Sequence, residues 1–326
     1  MKAIVGTQYG SPDMLQIQEV PKPVPKDNEV LVKVYAASVN AGDWRLVRGK
    51  PFVMRLMGYG LLRPKYSIPG TDIAGRVEAV GPRVTQFQPG DEVFGDMAEC
   101  GFGGFAEYVC ANENALVLKP AKVTFEQAAA APSAALTALQ GLRDKGKISA
   151  GQKVLINGAS GGVGTFAVQI AKSFGTEVTA VCSTRNLDKA RSIGADYVID
   201  YTKEDFTKNG KQYDLILSAN GHHALSDYKR ALNPAGIFVR TGGNGGQMFK
   251  IMLIGPWISM TGGQKMGNLI AKPNKKDLIF VQELLETGKI VPVINNYYPL
   301  NKVAEAIRFL EEGHATGKVV ITMEQD

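Results

Sequence analysis

Residues Val154–Lys172 read VLINGASGGVGTFAVQIAK, and this stretch decides the fold. It opens with the short apolar run Val154–Ile156, which is typical of a buried strand, and it ends with the mixed spacing of a packed helix. The glycine-rich turn between them follows the string G-x-G-x-x-G, except that Ala159 stands in place of the first glycine. Gly161 would let the backbone approach a pyrophosphate, and Gly164 would let the helix pack close to the strand. The order of strand, turn and helix predicts a dinucleotide site in preference to a turn that only saves space.

The composition is ordinary for a globular protein, since 44% of the 326 residues are hydrophobic and 21% are charged. The length predicts two domains. The net charge is +6, but Lys and Arg are scattered and form no basic stripe with aromatics, so no nucleic-acid partner is expected. Three unpatterned cysteines argue against a disulfide scaffold and predict a reducing, cytoplasmic location. The apparent strand Met1–Val5 predicts no signal peptide, and no apolar run is long enough to predict stable membrane insertion.

The pattern changes twice along the chain. Residues 1–122 contain short alternating strands bounded by glycine and proline, which predicts a β-barrel. Residues 123–271 alternate strands with helices, which predicts a doubly wound parallel sheet of the Rossmann α/β class. Residues 272–326 read as two amphipathic helices and a final strand, and we expect this segment to complete the first domain.

A resemblance that runs over nearly the whole chain rests on eight motifs: VNAGDW at 39–44, PGTDIAG at 69–75, FQPGDEV at 87–93, GGFAEY at 103–108, LTAL at 136–139, the glycine turn, GAD at 194–196 and GHATGKVV at 313–320. On these motifs the sequence resembles the zinc-free quinone oxidoreductase and enone reductase branch of the medium-chain dehydrogenase/reductases. The resemblance implies a GroES-like β-barrel catalytic domain beside the Rossmann NADP-binding domain. It also implies a homodimer.

The sequence gives no support for a metal. Zinc-dependent members of that superfamily place a cysteine ligand near the stretch 40–43 and have Gly-His-Glu where this chain has Gly70-Thr71-Asp72. Neither ligand is present here. A structural zinc lobe needs four close cysteines, whereas only Cys100 and Cys110 lie in that region. The histidines are interpreted as surface or loop residues, so no metal is expected and hydrogen bonds must polarise a substrate carbonyl.

The choice of cofactor depends on the end of the second strand, Glu177–Cys182. An NAD site normally has Asp or Glu there to hold the ribose 2′-hydroxyl, but this chain continues Ser183-Thr184-Arg185-Asn186. Arg185 could pair with a 2′-phosphate and Ser183 could donate its hydroxyl to it. Alternatively, Asn186 caps the next helix and Arg185 is a solvated surface charge. Because the acid is missing, we predict NADPH.

The remaining cofactor contacts are predicted from position. Tyr201, after the third strand, either flanks the adenine or packs at the sheet edge. Thr137 and Lys318 are implied as cofactor contacts only by the resemblance. The other expected contacts lie in the glycine turn or at the carboxyl ends of later strands, and they are Ser160, Gly161, Gly162, Val163, Gly164, Asn220, Gly242 and Gly243.

Reduction of a conjugated carbonyl needs a donor for the developing enolate oxygen and a source of a proton. Asn40 is the best candidate donor, the alternative being an Asn that shapes the loop after a strand. Asp43 either orients its neighbours, pairs with an arginine or stabilises a turn. Related quinone reductases carry a tyrosine where this chain has Arg45, so the proton donor is open between Tyr59, Tyr66 and water, and both tyrosines could equally be packing residues.

Two apolar stretches, at 52–62 and 248–257, are rich in Met and broken by Gly, which suits the walls of a substrate pocket. Ordinary core, a dimer interface or shallow membrane contact are the alternatives. We therefore predict an NADPH-dependent oxidoreductase that reduces quinones or the conjugated C=C of α,β-unsaturated carbonyls. A non-catalytic NADPH-binding sensor, a nucleic-acid-associated protein and a zinc-dependent alcohol dehydrogenase are the competing hypotheses.

Overall fold

The computed structural model describes residues 1–221, 223–242, 251, 263–313 and 315–324. Contacts divide the chain into two units. Unit 1 comprises Met1–Ser133, Pro273–Gly288 and Pro292–Asp326, and unit 2 comprises Ala134–Lys272 and Lys289–Val291.

The first half of the chain contains β1 (Lys2–Val5), β2 (Gln16–Glu19), β3 (Glu29–Val39), α1 (Ala41–Arg48), β4 (Asp72–Val80), β5 (Glu92–Asp96), β6 (Tyr108–Asn112), β7 (Leu116–Leu118), α2 (Phe125–Ala129), α3 (Pro132–Leu139) and β8 (Lys153–Asn157). The second half contains α4 (Gly162–Ser173), β9 (Glu177–Cys182), α5 (Leu187–Ser192), β10 (Tyr197–Asp200), β11 (Tyr213–Ser218), α6 (Leu225–Arg230), β12 (Leu232–Arg240), β13 (Lys265–Asn268), α7 (Lys275–Glu286), β14 (Ile294–Pro299), α8 (Val303–Glu311) and β15 (Lys318–Thr322).

Unit 1 is built on a seven-stranded sheet in the order β14-β15-β3-β4-β5-β7, with β6 also paired to β3. All its pairs are antiparallel except β14 with β15. The long central strand β3 is buried over most of its length, with both faces covered at 30–32 and 36–39. Because β15 pairs with β3, the C-terminal segment contributes a strand to the sheet of this unit. The first boundary follows Ser133 rather than residue 122, since α2 packs against β3 and β4.

Unit 2 is a six-stranded, wholly parallel sheet in the order β10-β9-β8-β11-β12-β13. In chain order this is 3-2-1-4-5-6, the doubly wound order of dinucleotide-binding sheets, so the predicted fold class is confirmed. The order reverses between β8 and β11. There the buried Tyr228 hydroxyl accepts from Asn157 Nδ2 at 2.9 Å and lies 3.2 Å from Ser218 Oγ, fixing the carboxyl ends of both strands. Ligands of such sheets bind at this edge.

Candidate functional site

The glycine turn lies at the point where the strand order reverses. After β8, Gly158 has φ 84°, and α4 begins at Gly162 with Gly161 as its N-cap. A Cβ on Gly164 would lie 2.0 Å from the carbonyl oxygen of Gly158, so only glycine fits there. A Cβ on Gly161 would have no neighbour nearer than 3.7 Å. The fold therefore requires Gly164, whereas Gly161 leaves open space at a helix N-terminus, which suits a phosphate group.

The loop after β9 exposes the residues expected at the adenosine ribose. Arg185 is exposed, and the Ser183 hydroxyl accepts from Asn186 Nδ2 at 3.1 Å. Sequence reasoning missed a nearby carboxylate, Asp200 at the end of β10. Its oxygens accept from the hydroxyls of Thr184 at 2.5 Å and Thr202 at 2.7 Å, and these bonds hold its pKa below the usual range. The lone pairs of Asp200 are thus turned to threonines, and Arg185 stays exposed to solvent.

Other predicted contacts gather at the same edge of unit 2. The N–H of Tyr201 donates to the carbonyl of Cys182, and the ring of Tyr201 is 60% exposed. Asn220 follows β11 and packs against Gly158, since a Cβ on that glycine would lie 2.9 Å from Asn220 N. Two flanking residues of the turn, Ser160 and Val163, are half-buried. These residues border the space beside the α4 N-terminus.

Gly242 follows β12, and a Cβ there would lie 2.4 Å from the carbonyl oxygen of Ala219. In the part of the chain described, the buried hydroxyl of Thr241 has no hydrogen-bond partner, so this edge still has an unused polar atom. Thr137 lies on α3, about one turn before Gly141, which packs against Leu217 and Thr241. The predicted contact Gly243 lies outside the described residues.

In unit 1, strand register gathers polar residues that are far apart in sequence. Asp96 pairs with Asp72 across β5 and β4, and Asp72 pairs with Ser38 across β4 and β3. Val319 pairs with Val39, so Lys318 stands beside Asn40 where β15 begins. We call Ser38, Asn40, Asp43, Thr71, Asp72, Asp96, Ser133 and Lys318 the buried polar network.

Asp72 is the centre of this network and is fully buried. Its Oδ2 accepts from Ser38 Oγ at 3.0 Å and Asn40 Nδ2 at 2.9 Å, with Lys318 Nζ 3.5 Å away. Its Oδ1 accepts from the backbone N–H of Ser133 at 3.0 Å and from Ser133 Oγ at 2.6 Å. Five donors thus surround one carboxylate, which compensates for its removal from water.

The Asn40 side chain is held from three directions. Lys318 Nζ donates to Asn40 Oδ1 at 2.5 Å, and Nδ2 donates to Asp72 Oδ2 and, at 3.4 Å, to the carbonyl of Ser38. Because the ammonium group only donates, it fixes which end of the amide is oxygen. One Nδ2 hydrogen is firmly bonded, whereas the one towards the Ser38 carbonyl is weakly held.

The Asp43 carboxylate orients Asn40 and Thr71 through hydrogen bonds. In the described part of the chain it forms no ion pair with an arginine. Its Oδ2 accepts from the backbone N–H of Asn40 at 2.7 Å, and its Oδ1 accepts from Thr71 Oγ1 at 2.8 Å. Burial raises the pKa of Asp43 to about 7, against the opposing effect of these two bonds. Burial likewise lowers the pKa of Lys318, which Asp72 opposes. The predicted contact Lys318 is therefore an internal cation in this structure.

Unit 1 also contains an aromatic pocket. It encloses about 430 Å³, counting the open space at its mouth, and is lined by Gly6, Gln8, Tyr9, Leu15, Leu46, Val47, Tyr59, Pro64, Tyr66, Ser67, Pro69 and Phe102. Along α1, Val47 follows Asp43 by about one turn. The N–H of Phe102 donates to the carbonyl of Met97, next to Asp96, at 3.0 Å. The same elements therefore serve both the network and the pocket.

Both tyrosines considered as proton donors line this pocket. The ring centroids of Tyr59 and Tyr66 lie 6.0 and 5.5 Å from that of Phe102. Tyr9, which the sequence did not single out, places its hydroxyl oxygen 2.8 and 2.7 Å from the carbonyl oxygens of Tyr59 and Gly60, so that its single hydrogen is shared between them. These bonds tie the N-terminal turn to the segment that carries Tyr59.

Of the two apolar stretches, the structure describes residues 52–62 but, in residues 248–257, only Ile251. In residues 52–62, Leu56 and Leu62 are 65% and 89% exposed, so this stretch is not ordinary core throughout. The stretch 248–257 lies outside the described residues, apart from the buried Ile251.

The residues present do not fit a bound zinc ion. In the described part of the chain, no group of three or more His, Cys, Asp or Glu side chains could hold a metal. Asp43 and Asp72 are bonded to side-chain and backbone donors, and Lys318 stands beside Asp72. Cys100 and Cys110 are free thiols. None of the described helices is long and apolar enough to cross a membrane.

Comparison with known proteins agrees with this architecture. Residues 26–121 match the family described as "Alcohol dehydrogenase GroES-like domain", and residues 193–321 match "Zinc-binding dehydrogenase". The chain is 34% identical to the "Chloroplast envelope quinone oxidoreductase homolog" of Arabidopsis thaliana, covering 98% of each. It is 33% identical to the "NADPH-dependent alkenal/one oxidoreductase, chloroplastic" of the same plant, covering 98% of this chain and 79% of the relative.

Among solved structures, the quinone oxidoreductase from Coxiella burnetii superposes with a TM-score of 0.87 at 30% identity, covering 99% of each chain. Several relatives thus exceed 30% identity over almost the full length of this chain. The protein belongs to the medium-chain dehydrogenase/reductase superfamily of oxidoreductases, in its quinone oxidoreductase branch.

Proposed function

We propose that this protein uses NADPH to reduce quinones or the conjugated C=C of α,β-unsaturated carbonyls. The observation that carries the proposal is the β8–turn–α4 segment. A side chain at Gly161 would not clash with the protein itself, so the space beside this glycine is open to a ligand. The names of the relatives support both substrate classes and the cofactor. One relative is a quinone oxidoreductase homologue, and another is an NADPH-dependent alkenal/one oxidoreductase.

Unit 2 supplies the groups that would hold NADPH. The pyrophosphate would lie on the backbone N–H groups of residues 160–163 at the α4 N-terminus. Arg185 would pair with the 2′-phosphate, with Ser183 adding a hydroxyl, and the exposed ring of Tyr201 would flank the adenine. Residues at the ends of β11 and β12, with Thr137 on α3, would contact the remainder; they are Asn220, Gly242 and, from the sequence alone, Gly243. When bound, NADPH supplies a hydride.

Unit 1 supplies the group that would stabilise the charge left on the substrate. After hydride addition to the β-carbon, negative charge builds on the carbonyl oxygen as an enolate. The Asn40 hydrogen that is weakly held by the Ser38 carbonyl, at 3.4 Å, is the one available to move to that oxygen. Asp43 orients Asn40 through its backbone N–H, and Tyr59 is our candidate for proton delivery.

The aromatic pocket would hold the substrate. Its walls are largely apolar and aromatic, which favours a quinone ring or an apolar enone over a charged substrate. A saturated ketone lacks the electrophilic β-carbon and should not react.

The test is NADPH oxidation, followed by its near-ultraviolet absorbance, with a quinone, a linear enone, an enal and a saturated ketone. Turnover of any of the first three without the ketone supports the proposal. Silence with all four, while NADPH still binds, overturns it in favour of a sensor. With a turned-over enone, Asn40→Ala should lower kcat, whereas Asn114→Ala, at an exposed asparagine, should not.

We also propose a cytoplasmic homodimer. Three unpaired thiols suit a reducing compartment, although some relatives carry chloroplastic names. In the described part of the chain, β13 is the last strand of the six-stranded sheet, and we propose that a second copy meets unit 2 at this end. Sedimentation of the purified protein and microscopy of a tagged chain in its host test the two statements separately.

A further inference from the structure

One hydroxyl group in unit 1 touches two carboxyl groups. Ser133 Oγ lies 2.6 Å from Asp72 Oδ1 and 2.7 Å from Asp96 Oδ2. A serine hydroxyl has a single hydrogen, so it can donate to only one of them. Two bare oxygens 2.7 Å apart repel, so both short distances are best satisfied when the other carboxyl carries a hydrogen and donates it to Ser133 Oγ.

The donor counts decide which carboxyl carries this proton. Asp72 accepts four hydrogen bonds from Ser38, Asn40 and Ser133 and faces Lys318, as an ionised carboxylate should. Asp96, by contrast, is 4% exposed and accepts one further bond, from the backbone N–H of Ala98 to Oδ1 at 2.9 Å.

We propose that Asp96 is a protonated acid in weakly acidic solution and that, through Ser133 and Asp72, it is a positioning residue for Asn40. The chain of bonds runs from the Asp96 carboxylic acid to Ser133 Oγ, from Ser133 to Asp72, and from Asn40 Nδ2 to Asp72. Lys318 closes it by donating to Asn40 Oδ1. The catalytic part of this inference rests on the proposed function, whereas the protonation of Asp96 does not.

The charges around Asp96 explain how the chain responds to pH. Burial and then the neighbouring Asp72 raise the pKa of Asp96 to about 7, with Ser133 and Ala98 opposing and Asp43 adding a smaller increase. Lys318 on β15 and the Cys100 thiol also interact with it. When Asp96 ionises, two carboxylates compete for the single Ser133 hydrogen. Asp72 then loses its shortest bond, and Asn40 loses its fixed orientation.

Infrared difference spectra between acidic and alkaline buffers test the protonation directly. The apo-protein should show the C=O stretch of a buried, protonated carboxyl group that disappears with a midpoint near the Asp96 pKa of about 7. Asp96→Asn should lose the Asp96 component and keep the component of Asp43, whose pKa is raised to a similar value, whereas Asp27→Asn, at a largely exposed carboxyl, should keep both. Asp43→Asn should keep the Asp96 component. Persistence of the full band in Asp96→Asn overturns the proposal, whether or not the protein turns over any substrate.

Kinetics test the positioning role. Wild-type kcat should fall as pH rises through about 7, and Asp96→Asn should lose that fall, because its amide donates to Ser133 Oγ at every pH. Ser133→Ala should lower kcat roughly tenfold while leaving KM for NADPH within about twofold, as expected for misorientation. A kcat that depends on pH identically in wild type and Asp96→Asn, or a Ser133→Ala defect confined to KM, would refute the role.

Discussion

Lys318→Met removes the buried ammonium group but keeps an unbranched side chain of similar length. Lys318 Nζ lies 3.5 Å from Asp72 Oδ2, and the two side chains are 3% and 0% exposed. Their attraction is about 5 kcal/mol at an effective dielectric constant of about 20. Desolvation of the ammonium, which lowers the Lys318 pKa, offsets part of it. Breaking one side of such a pair leaves an uncompensated charge, so we expect a loss of about 3–4 kcal/mol in the free energy of unfolding of unit 1.

Urea unfolding followed by tryptophan fluorescence measures this loss. The chain has two tryptophans, and in a Trp257→Phe background Trp44, on α1 in unit 1, is the only reporter. A loss of this size should lower the midpoint by roughly 1–3 M urea. Reading one unit alone avoids treating a two-unit chain as a single transition.

A double-mutant cycle separates the lost charge from lost packing. Asp72→Asn combined with Lys318→Met removes both charges and should recover most of the stability. Lys302→Met, at a half-exposed ion pair with Glu305, should cost no more than about 0.5 kcal/mol. If Lys318→Met costs less than about 1 kcal/mol, or if the double variant recovers nothing, the reasoning about this pair is refuted.

Three further outcomes are expected. Arg185→Ala should raise KM for NADPH roughly tenfold or more and leave KM for NADH nearly unchanged, as steady-state kinetics with both cofactors would show. Gly164→Ala should lower the unfolding free energy by about 1–3 kcal/mol, because its Cβ would strike a carbonyl oxygen at 2.0 Å, whereas Gly161→Ala should weaken NADPH binding without that loss. Burial raises the pKa values of Asp43 and Asp96 from 3.8 to about 7, so each carboxyl binds its proton more tightly in the folded state than in the unfolded state. The free energy of unfolding should therefore fall as pH rises from about 4 to 7. This fall should be smaller in the variant in which both residues are Asn.

Each of these expectations has a matched comparison. Arg191→Ala, at an exposed arginine in the same unit, should leave both cofactor KM values unchanged. Equal melting temperatures for the two glycine variants would contradict the geometry of the turn. A pH–stability curve that is identical in wild type and the double Asn variant would contradict burial as the cause of the raised pKa values.

Local pattern predicted unit 2 well, because its signals lie close together in sequence. The β8 strand, its glycine turn and α4 occupy one continuous stretch, and Arg185 follows the next strand directly. The sequence predicted only some members of the buried polar network. The sequence singled out Asn40, Asp43 and Lys318, but the bond between Asn40 and Lys318 joins residues 278 positions apart and depends on strand register.

The sequence does contain a feature that marks Asp72 and Asp96 as candidate site residues. Each is an acidic residue at the end of an apolar strand, DIAG and EVFGD, where a charge inside a core needs a reason. No such signal marks Ser133, which the structure brings to both carboxyls, or Tyr9, whose hydroxyl reaches backbone carbonyls about fifty residues away. Contacts of that kind follow from tertiary packing alone.

The pairing of β15 with β3 has a consequence for biosynthesis. During translation, Asn40, Asp72 and Asp96 leave the ribosome long before Lys318, the cation that their network encloses. Until then the nascent first unit would hold the Asp72 carboxylate without that counter-charge, whereas the sheet strands of unit 2 all precede β15 in the chain. A stalled or truncated chain that ends before β15 would therefore contain every strand of the unit 2 sheet, whereas the unit 1 sheet would lack β15 and the network would lack Lys318.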